Sequence, residues 1–289
     1  MNKVAIITDS NSGITQKEAK DNLFVLPMPF IIDGEDFYEE INLSQKEFYE
    51  KLKNDVRIST SQPSFGEVTE LWDKVLKEYD EIVYIPMSSG LSESCNSSKR
   101  YVEEGYAGRV FVVDNQRISV TMKASVYEAL KLAKEGKNAS EIKEYLESTK
   151  MDSSIYIMVP TLKYLKKGGR VTPTAAALAS LLSIKPILQI QGDKLDSYAK
   201  VMNLSQAKSK MINAVKKDLE ERFKDLYAQG KMALYIAHTD NEELANKFKE
   251  EVESQFKNVK IESVDPLSLS VACHIGPGAL ALALSRYDI

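Results

Sequence analysis

The chain has 289 residues, 43% of them hydrophobic and 28% charged, the balance of an ordinary globular protein with room for two domains. Its 42 acidic residues outnumber 38 basic ones, for a formal charge of -4, which argues against a nucleic-acid binder, because neutralising phosphates needs a basic surplus or patch. Two cysteines, Cys95 and Cys273, exclude a disulfide scaffold and offer no zinc-type CxxC pair, and two histidines are too few for a multi-histidine metal centre.

Apolar runs alternate with amphipathic stretches along the chain. Val4–Thr8 reads as a buried strand feeding a polar loop. Ser44 with Glu47, and Ser64 with Glu67, are capping boxes that open helices. After the second, Val68, Leu71, Trp72, Val75 and Leu76 trace one apolar face. Glu81–Pro86 and Arg109–Val113 read as strands, Ser119–Lys134 and Ser140–Ser148 as helices. This alternation predicts a Rossmann-like parallel sheet covered by helices, over residues 1–150.

Residues 151–289 predict a second α/β domain with a mixed sheet. Ser154–Val159 is a strand, a short helix ends at Gly168 and Gly169, and Thr172 with Pro173 opens another. Ile184–Gln191 and Lys194–Val201 flank a hairpin signal, Gly192 and Asp193. One long helix is expected over Ser205–Leu226, a strand over Met232–Ala237, a helix over Asp240–Phe256 capped by Asp240 and Glu243, and a last strand over Val259–Val264. No apolar run reaches the ~20 residues of a membrane span. The first residues reach Asp9 too early for a signal peptide. A cytoplasmic protein, free when unpartnered as a monomer and without stable membrane insertion, is expected.

Polar clusters follow or end the predicted elements. Thr8–Gly13 sits at a strand's carboxyl end, where open α/β sheets gather ligands, and is equally a loop of Asx and Ser turns. Thr60, Ser61 and Ser64 precede a helix start, where hydroxyls and unpaired N–H groups suit an oxyanion; a helix cap alone explains Ser64 but not the other two. Gly90-Leu-Ser92-Glu-Ser94 nearly matches the nucleophile elbow of α/β-hydrolases but lacks its last Gly. His274 lies beside Gly276, Pro277 and Gly278 and reads either as a buried structural His or as a ligand contact. Gly168, Gly169 and Arg170 form either a helix C-cap with a solvated Arg or an anion contact. His238 reads as structural.

Taken in order, Thr8-Asp9-Ser10, Thr60-Ser61-Gln62-Pro63, Ser88-Ser-Gly-Leu-Ser92, Val112-Val-Asp114, Leu165-Lys-Lys-Gly-Gly-Arg170 and His274-Ile-Gly-Pro-Gly278 resemble the DegV family of bacterial fatty-acid-binding proteins. The resemblance implies two α/β domains with a ligand tunnel between them, holding one long-chain fatty acid. It implies a partner, an ATP-dependent fatty-acid kinase protein that makes the acyl-phosphate for phospholipid synthesis. It implies no catalysis by this chain, no cofactor and no metal. Carried over, the head-group residues are Thr60 or Ser61, Ser92 and His274; Arg170, Gly169 and Gly276 lie near the head group or the transferred phosphoryl group.

The chemistry agrees with that assignment. A carboxylate held by hydroxyls keeps an oxygen open to phosphorylation, where a bidentate Arg would mask both. Burying a sixteen-carbon chain contributes a gross ~11 kcal/mol at roughly 0.8 kcal/mol per methylene. Small residues that leave room for such a chain, or allow close packing, are Ala175–Ala177, Ala179, Ser180, Ala279, Ala281 and Ala283.

Three stretches depart from the family pattern. Glu93 and Ser94 replace Gly-Thr, Thr121 and Lys123 replace two glycines, and Met202 stands where a basic residue is common, with Lys200, Lys208 and Lys210 nearby. Two other readings remain: a serine esterase with Ser92 as nucleophile, His274 as base and Asp265 as orienter, and a lipid-sensing module without a kinase.

Overall fold

The computed structural model describes residues 3–54, 56–170, 172–176, 184–192 and 194–288. They form two compact units, one running to Lys150 and taking in Ser268–Ser270, the other holding Met151–Leu267 and Val271–Asp288.

The first unit comprises β1 (Val4–Asp9), β2 (Leu23–Leu26), β3 (Pro29–Ile32), β4 (Glu35–Tyr38), α1 (Gln45–Lys53), β5 (Ile58–Thr60), α2 (Phe65–Val75), β6 (Glu81–Ile85), α3 (Ser94–Glu103), β7 (Val110–Val112), α4 (Ser119–Lys134) and α5 (Ala139–Ser148). Strands pair in the order β2-β1-β6-β7, all parallel. Both faces are buried, as parallel sheets require. Ala5, Ile7, Ile82 and Tyr84 pack against Val68, Trp72 and Val75 of α2 and Cys95 of α3. The alternate residues, Val4, Ile6, Val83 and Ile85, pack against Met122, Val126 and Ala129 of α4 and Ile142 and Leu146 of α5. The predicted helices α1 and α2 open with the two capping boxes.

A small antiparallel sheet, β4-β3-β5, was not expected from the sequence. Its strands are short, and β4 carries charged Glu35 and Asp36, so no apolar alternation marks it. It places Thr60 opposite Phe30.

The second unit comprises β8 (Ser153–Met158), α6 (Lys163–Gly168), α7 (Pro173–Ala176), β9 (Lys185–Ile190), β10 (Asp196–Val201), α8 (Leu204–Glu220), α9 (Lys224–Ala228), β11 (Met232–His238), α10 (Glu242–Gln255), β12 (Ile261–Pro266), α11 (Leu269–Ile275, whose first two residues belong with the first unit) and β13 (Leu280–Arg286). Its sheet is mixed, in the order β10-β9-β8-β13-β11-β12. The β9–β10 pair is antiparallel; Asp193 of the hairpin signal lies outside the described residues, as do Ala177, Ala179 and Ser180.

Three expectations are corrected here. Val259–Val264 is not the last strand: β13 follows and lies at the sheet's centre, antiparallel to both β8 and β11. Its leucines, Leu280, Leu282 and Leu284, join a core with Met211 and Val215 of α8 and Phe248 and Val252 of α10. Ala281 and Ala283 alternate with them and are also buried. Second, the long helix breaks after Glu220. The Phe223 N–H donates to Asp218 O at 2.8 Å, which turns the Phe223 ring into the core; Arg222 is drawn to Ser154 Oγ at 2.6 Å. Third, Asp240 and Glu243 do not cap α10. Asp240 takes a left-handed φ of 46°, Asn241 holds the cap position without a side-chain cap bond, and Glu243 pairs with Lys247.

Leu282→Ala should lower the unfolding free energy by about 2–5 kcal/mol, because it opens a cavity in the packed centre of the sheet. Urea denaturation followed by circular dichroism measures the loss.

Candidate functional site

In the first unit the carboxyl ends of β1 and β6 meet at Asp9, which is fully buried. Its Oδ1 accepts from Asn11 N at 2.9 Å and Asn11 Nδ2 at 2.7 Å. Its Oδ2 accepts from Met87 N at 2.9 Å. Burial pushes this carboxyl up to about 6, against the pull of those three donors. Asn11 Oδ1 in turn accepts from the Ser270 hydroxyl. Leu269 N donates to Glu39 at 2.8 Å; burial, with Glu40 adding repulsion, pushes Glu39 up to about 7. The Thr8–Gly13 cluster is thus tied into this unit both by bonds within the cluster and by bonds to Met28, Ile85, Met87 and Ser270.

The loop after β6 leads to Ser92. Ser88 N donates to Arg117 O at 2.9 Å, and Ser92 N to Ser88 O at 3.2 Å. Ser92 Oγ accepts from Ser94 N at 3.2 Å, an arrangement that leaves its own hydrogen to donate outward. Ser92 is half-buried. Glu93, a departure that would repel an anion if it faced one, is exposed, with its carboxylate held by Asn96 Nδ2 at 3.3 Å. Thr60 ends β5 half-buried and Ser61 follows exposed. Ser61 N donates to Pro29 O at 3.4 Å. Ser64 is bound to Glu67, whose other oxygen accepts from Tyr38 OH at 2.8 Å. Ser97 Oγ of α3 donates to Gln62 Oε1 at 3.2 Å, tying the Thr60–Ser61 loop to the helix that follows Ser92. Of the other departures, Thr121 Oγ1 donates to Ile118 O at 3.0 Å within its own helix start, and Lys123 pairs with Glu18 at 3.3 Å.

In the second unit the Gly168-Gly169-Arg170 and His274–Gly278 strings interlock. A Cβ on Gly168 would lie 2.3 Å from His274 Nδ1, so the imidazole occupies the place a side chain would need. A Cβ on Gly276 would lie 2.2 Å from the Tyr164 ring, and its φ of +83° is left-handed as well. Gly169 caps α6 at φ 69°, donating to Leu165 O at 3.0 Å. Arg170 is exposed and donates to Gly168 O. Burial, then the Arg170 charge, push His274 down to about 4, so it is neutral at physiological pH. Beneath the turn, buried Thr239 accepts from Ala279 N at 2.9 Å and donates to Gly276 O at 2.6 Å. His238 ends β11 and its Nδ1 accepts from Asn241 N at 3.3 Å.

Within the first unit, then, Thr60, Ser61 and Ser92 are linked through α3. Within the second, His274 and Arg170 are brought to one helix end, with Gly169 in its cap and Gly276 one residue beyond α11. Thr239 and Ser97 were not singled out from the sequence, and Gln62 stood only as part of the Thr60–Pro63 string, with no role of its own. Their roles lie in tertiary hydrogen bonds that no local spacing reveals. Gly168 carried a signal, a pair of glycines at a helix end, but not which ring fills the space.

A doubly wound parallel sheet joined to a mixed α/β unit is a fold whose ligands gather beyond the strands' carboxyl ends. The DegV family profile, described as an uncharacterised protein family, matches residues 3–286. The chain belongs to the DegV family. A DegV domain-containing protein of Clostridium perfringens is 30% identical over 98% of this chain and 97% of its own. The crystal structure of a fatty acid binding DegV family protein from Streptococcus agalactiae superposes with a TM-score of 0.87 at 26% identity, over 100% of both chains. DegV from Bacillus subtilis, described as a fatty acid binding protein, gives 0.85 at 27% identity, over 99% of this chain and 100% of its own. Among the described residues no helix is long and apolar enough to cross a membrane.

Gly168→Ala should displace the His274 ring and return its titration from about 4 toward the ordinary 6.5, at a stability cost of about 1–3 kcal/mol. NMR titration of the two histidines reads the shift directly. The unfolded chain protonates His274 below its ordinary 6.5 and the folded chain only near 4, so this group removes stability as pH falls across that window. His274→Gln should therefore lose less melting temperature than the unaltered protein between those two pH values, as scanning calorimetry would show.

Proposed function

We propose that this protein binds one long-chain fatty acid and presents its carboxylate to a separate ATP-dependent kinase protein, which forms the acyl-phosphate. The observation that carries this reading is Ser92: the Ser94 N–H occupies its oxygen, and the hydroxyl hydrogen is left for an anionic acceptor. Two relatives of the same length and fold are described as fatty-acid-binding, which supports the ligand class.

In this reading Ser92 and either Thr60 or Ser61 donate to the carboxylate. His274, neutral, supplies a further donor without a fixed charge. Arg170 neutralises the phosphoryl group during transfer, Gly169 keeps the backbone beside it open, and Gly276 lets its turn close onto the Tyr164 ring. The acid is the only bound group required; the protein works in the cytoplasm, as a monomer between encounters, feeding phospholipid synthesis. Kinase docking falls to groups other than Met202, which is exposed. Lys208 is engaged with Glu251 at 2.6 Å and Lys210 lies over the Tyr198 ring, so the nearby cation offered to the kinase is Lys200, which is exposed.

The esterase reading is less well supported. A His held near 4 by burial and a neighbouring guanidinium is a poor general base at neutral pH.

Native mass spectrometry of the purified protein should show one fatty acid per chain, released intact on denaturation. Ser92→Ala should weaken palmitate binding about tenfold, the loss of one charge-assisted hydrogen bond, with the fold intact by circular dichroism. A fluorophosphonate probe should leave Ser92 unlabelled; covalent labelling there would overturn the carrier reading in favour of the esterase.

A further inference from the structure

Ser92 and the Thr60–Ser61 pair come from loops that are 31 residues apart in the chain, counted from Ser61 to Ser92. Two hydroxyls can share one carboxylate only if their separation is fixed. The elements that fix it are visible. Ser92 is tied to the start of α3 by Ser94 N. One turn further along the same helix, buried Ser97 donates through Oγ to Gln62 Oε1 at 3.2 Å. Gln62 directly follows Ser61. Arg100, exposed on the next turn, donates from Nη2 to Ser97 Oγ at 3.0 Å, which occupies a lone pair of that oxygen and leaves its hydrogen for Gln62.

We infer that Gln62 and Ser97 are positioning residues, a single hydrogen-bonded strut that holds the Thr60–Ser61 loop at a set distance from Ser92. The inference rests on the proposed carboxylate site. Neither residue touches the ligand; they act through the loop that does. A rigid α-helix forms one side of the strut and a hydrogen bond the other, so losing the bond frees the loop without altering the Ser92 side. A carboxylate, which needs both hydroxyls at once, is sensitive to that freedom. An alkyl chain without a carboxylate is not.

The experiment compares palmitate with hexadecanol, which shares the chain and lacks the carboxylate, by fluorescence displacement on the full chain. Ser97→Ala and Gln62→Ala should each weaken palmitate roughly three- to tenfold and leave hexadecanol unchanged. The double variant should be no worse than either single one, since both remove the same link. Ser97→Thr, which keeps the hydroxyl, should restore the acid preference. Arg100→Ala, at an exposed position, should weaken palmitate by a smaller factor and guards against a core variant that fails to fold. Equal weakening of acid and alcohol, or unchanged palmitate binding in both alanine variants, would overturn the strut. Failure of the unaltered protein to bind palmitate would instead overturn the fatty-acid reading on which it rests.

Discussion

A carboxylate with no access to water holds the first unit's loops in place. Asp9 lies at the carboxyl end of β1, and its two oxygens reach in different directions, one to Asn11 and one to the backbone of Met87 after β6. Burying such a group is costly unless its oxygens are satisfied. The protein satisfies them with donors from two loops, which gives each loop a fixed starting point. From Met87 the chain runs through Ser88 to Ser92; from Asn11 the hydrogen bonds continue to Ser270. Every hydroxyl considered at this end of the sheet is placed relative to that one anchor or to a helix that follows it.

The second unit solves the same problem of placement by shape. Its strings meet glycine to ring, His274 on Gly168 and Tyr164 on Gly276. Close approach of this kind needs the missing Cβ on one side and an aromatic face on the other. It also explains the electrostatics. An imidazole pressed onto a helix end beside a guanidinium is desolvated and repelled at once, and both effects favour the neutral ring.

Much of this could be read from the sequence where the signal is local. The capping boxes at Ser44 and Ser64 form as expected, because cap and partner are three residues apart. The helix Ser119–Lys134 has the predicted bounds. The run of hydroxyls at Thr60–Ser61 stood out because a cap needs only Ser64. What escaped was set by distant partners. β13 alternates Leu with Ala after a stretch of Gly and Pro, a pattern without polar residues to mark its faces, and only its neighbours β8 and β11 define it as a strand. The bond of Ser97 to Gln62 spans 35 residues. Asp9 stood in a string that read equally as a ligand-gathering strand end and as a loop of turns, and its role depends on Met87, far along the chain.

The central place of β13 has a consequence for how the protein is made. It lies between β8 and β11 although it follows every other strand of its sheet in the chain. During synthesis β10-β9-β8 and β11-β12 can each pair early, but they remain separate half-sheets, each with an open edge of unpaired backbone groups. At about 5–20 residues added per second, the ribosome must pass Arg286 before one strand closes both edges at once. Until then the nascent chain carries exposed strand edges, the form of a folding intermediate most prone to pair with another chain. A late, central strand makes the second unit's folding all-or-none at its C-terminal end, and leaves its nascent form the one most dependent on protection while it waits.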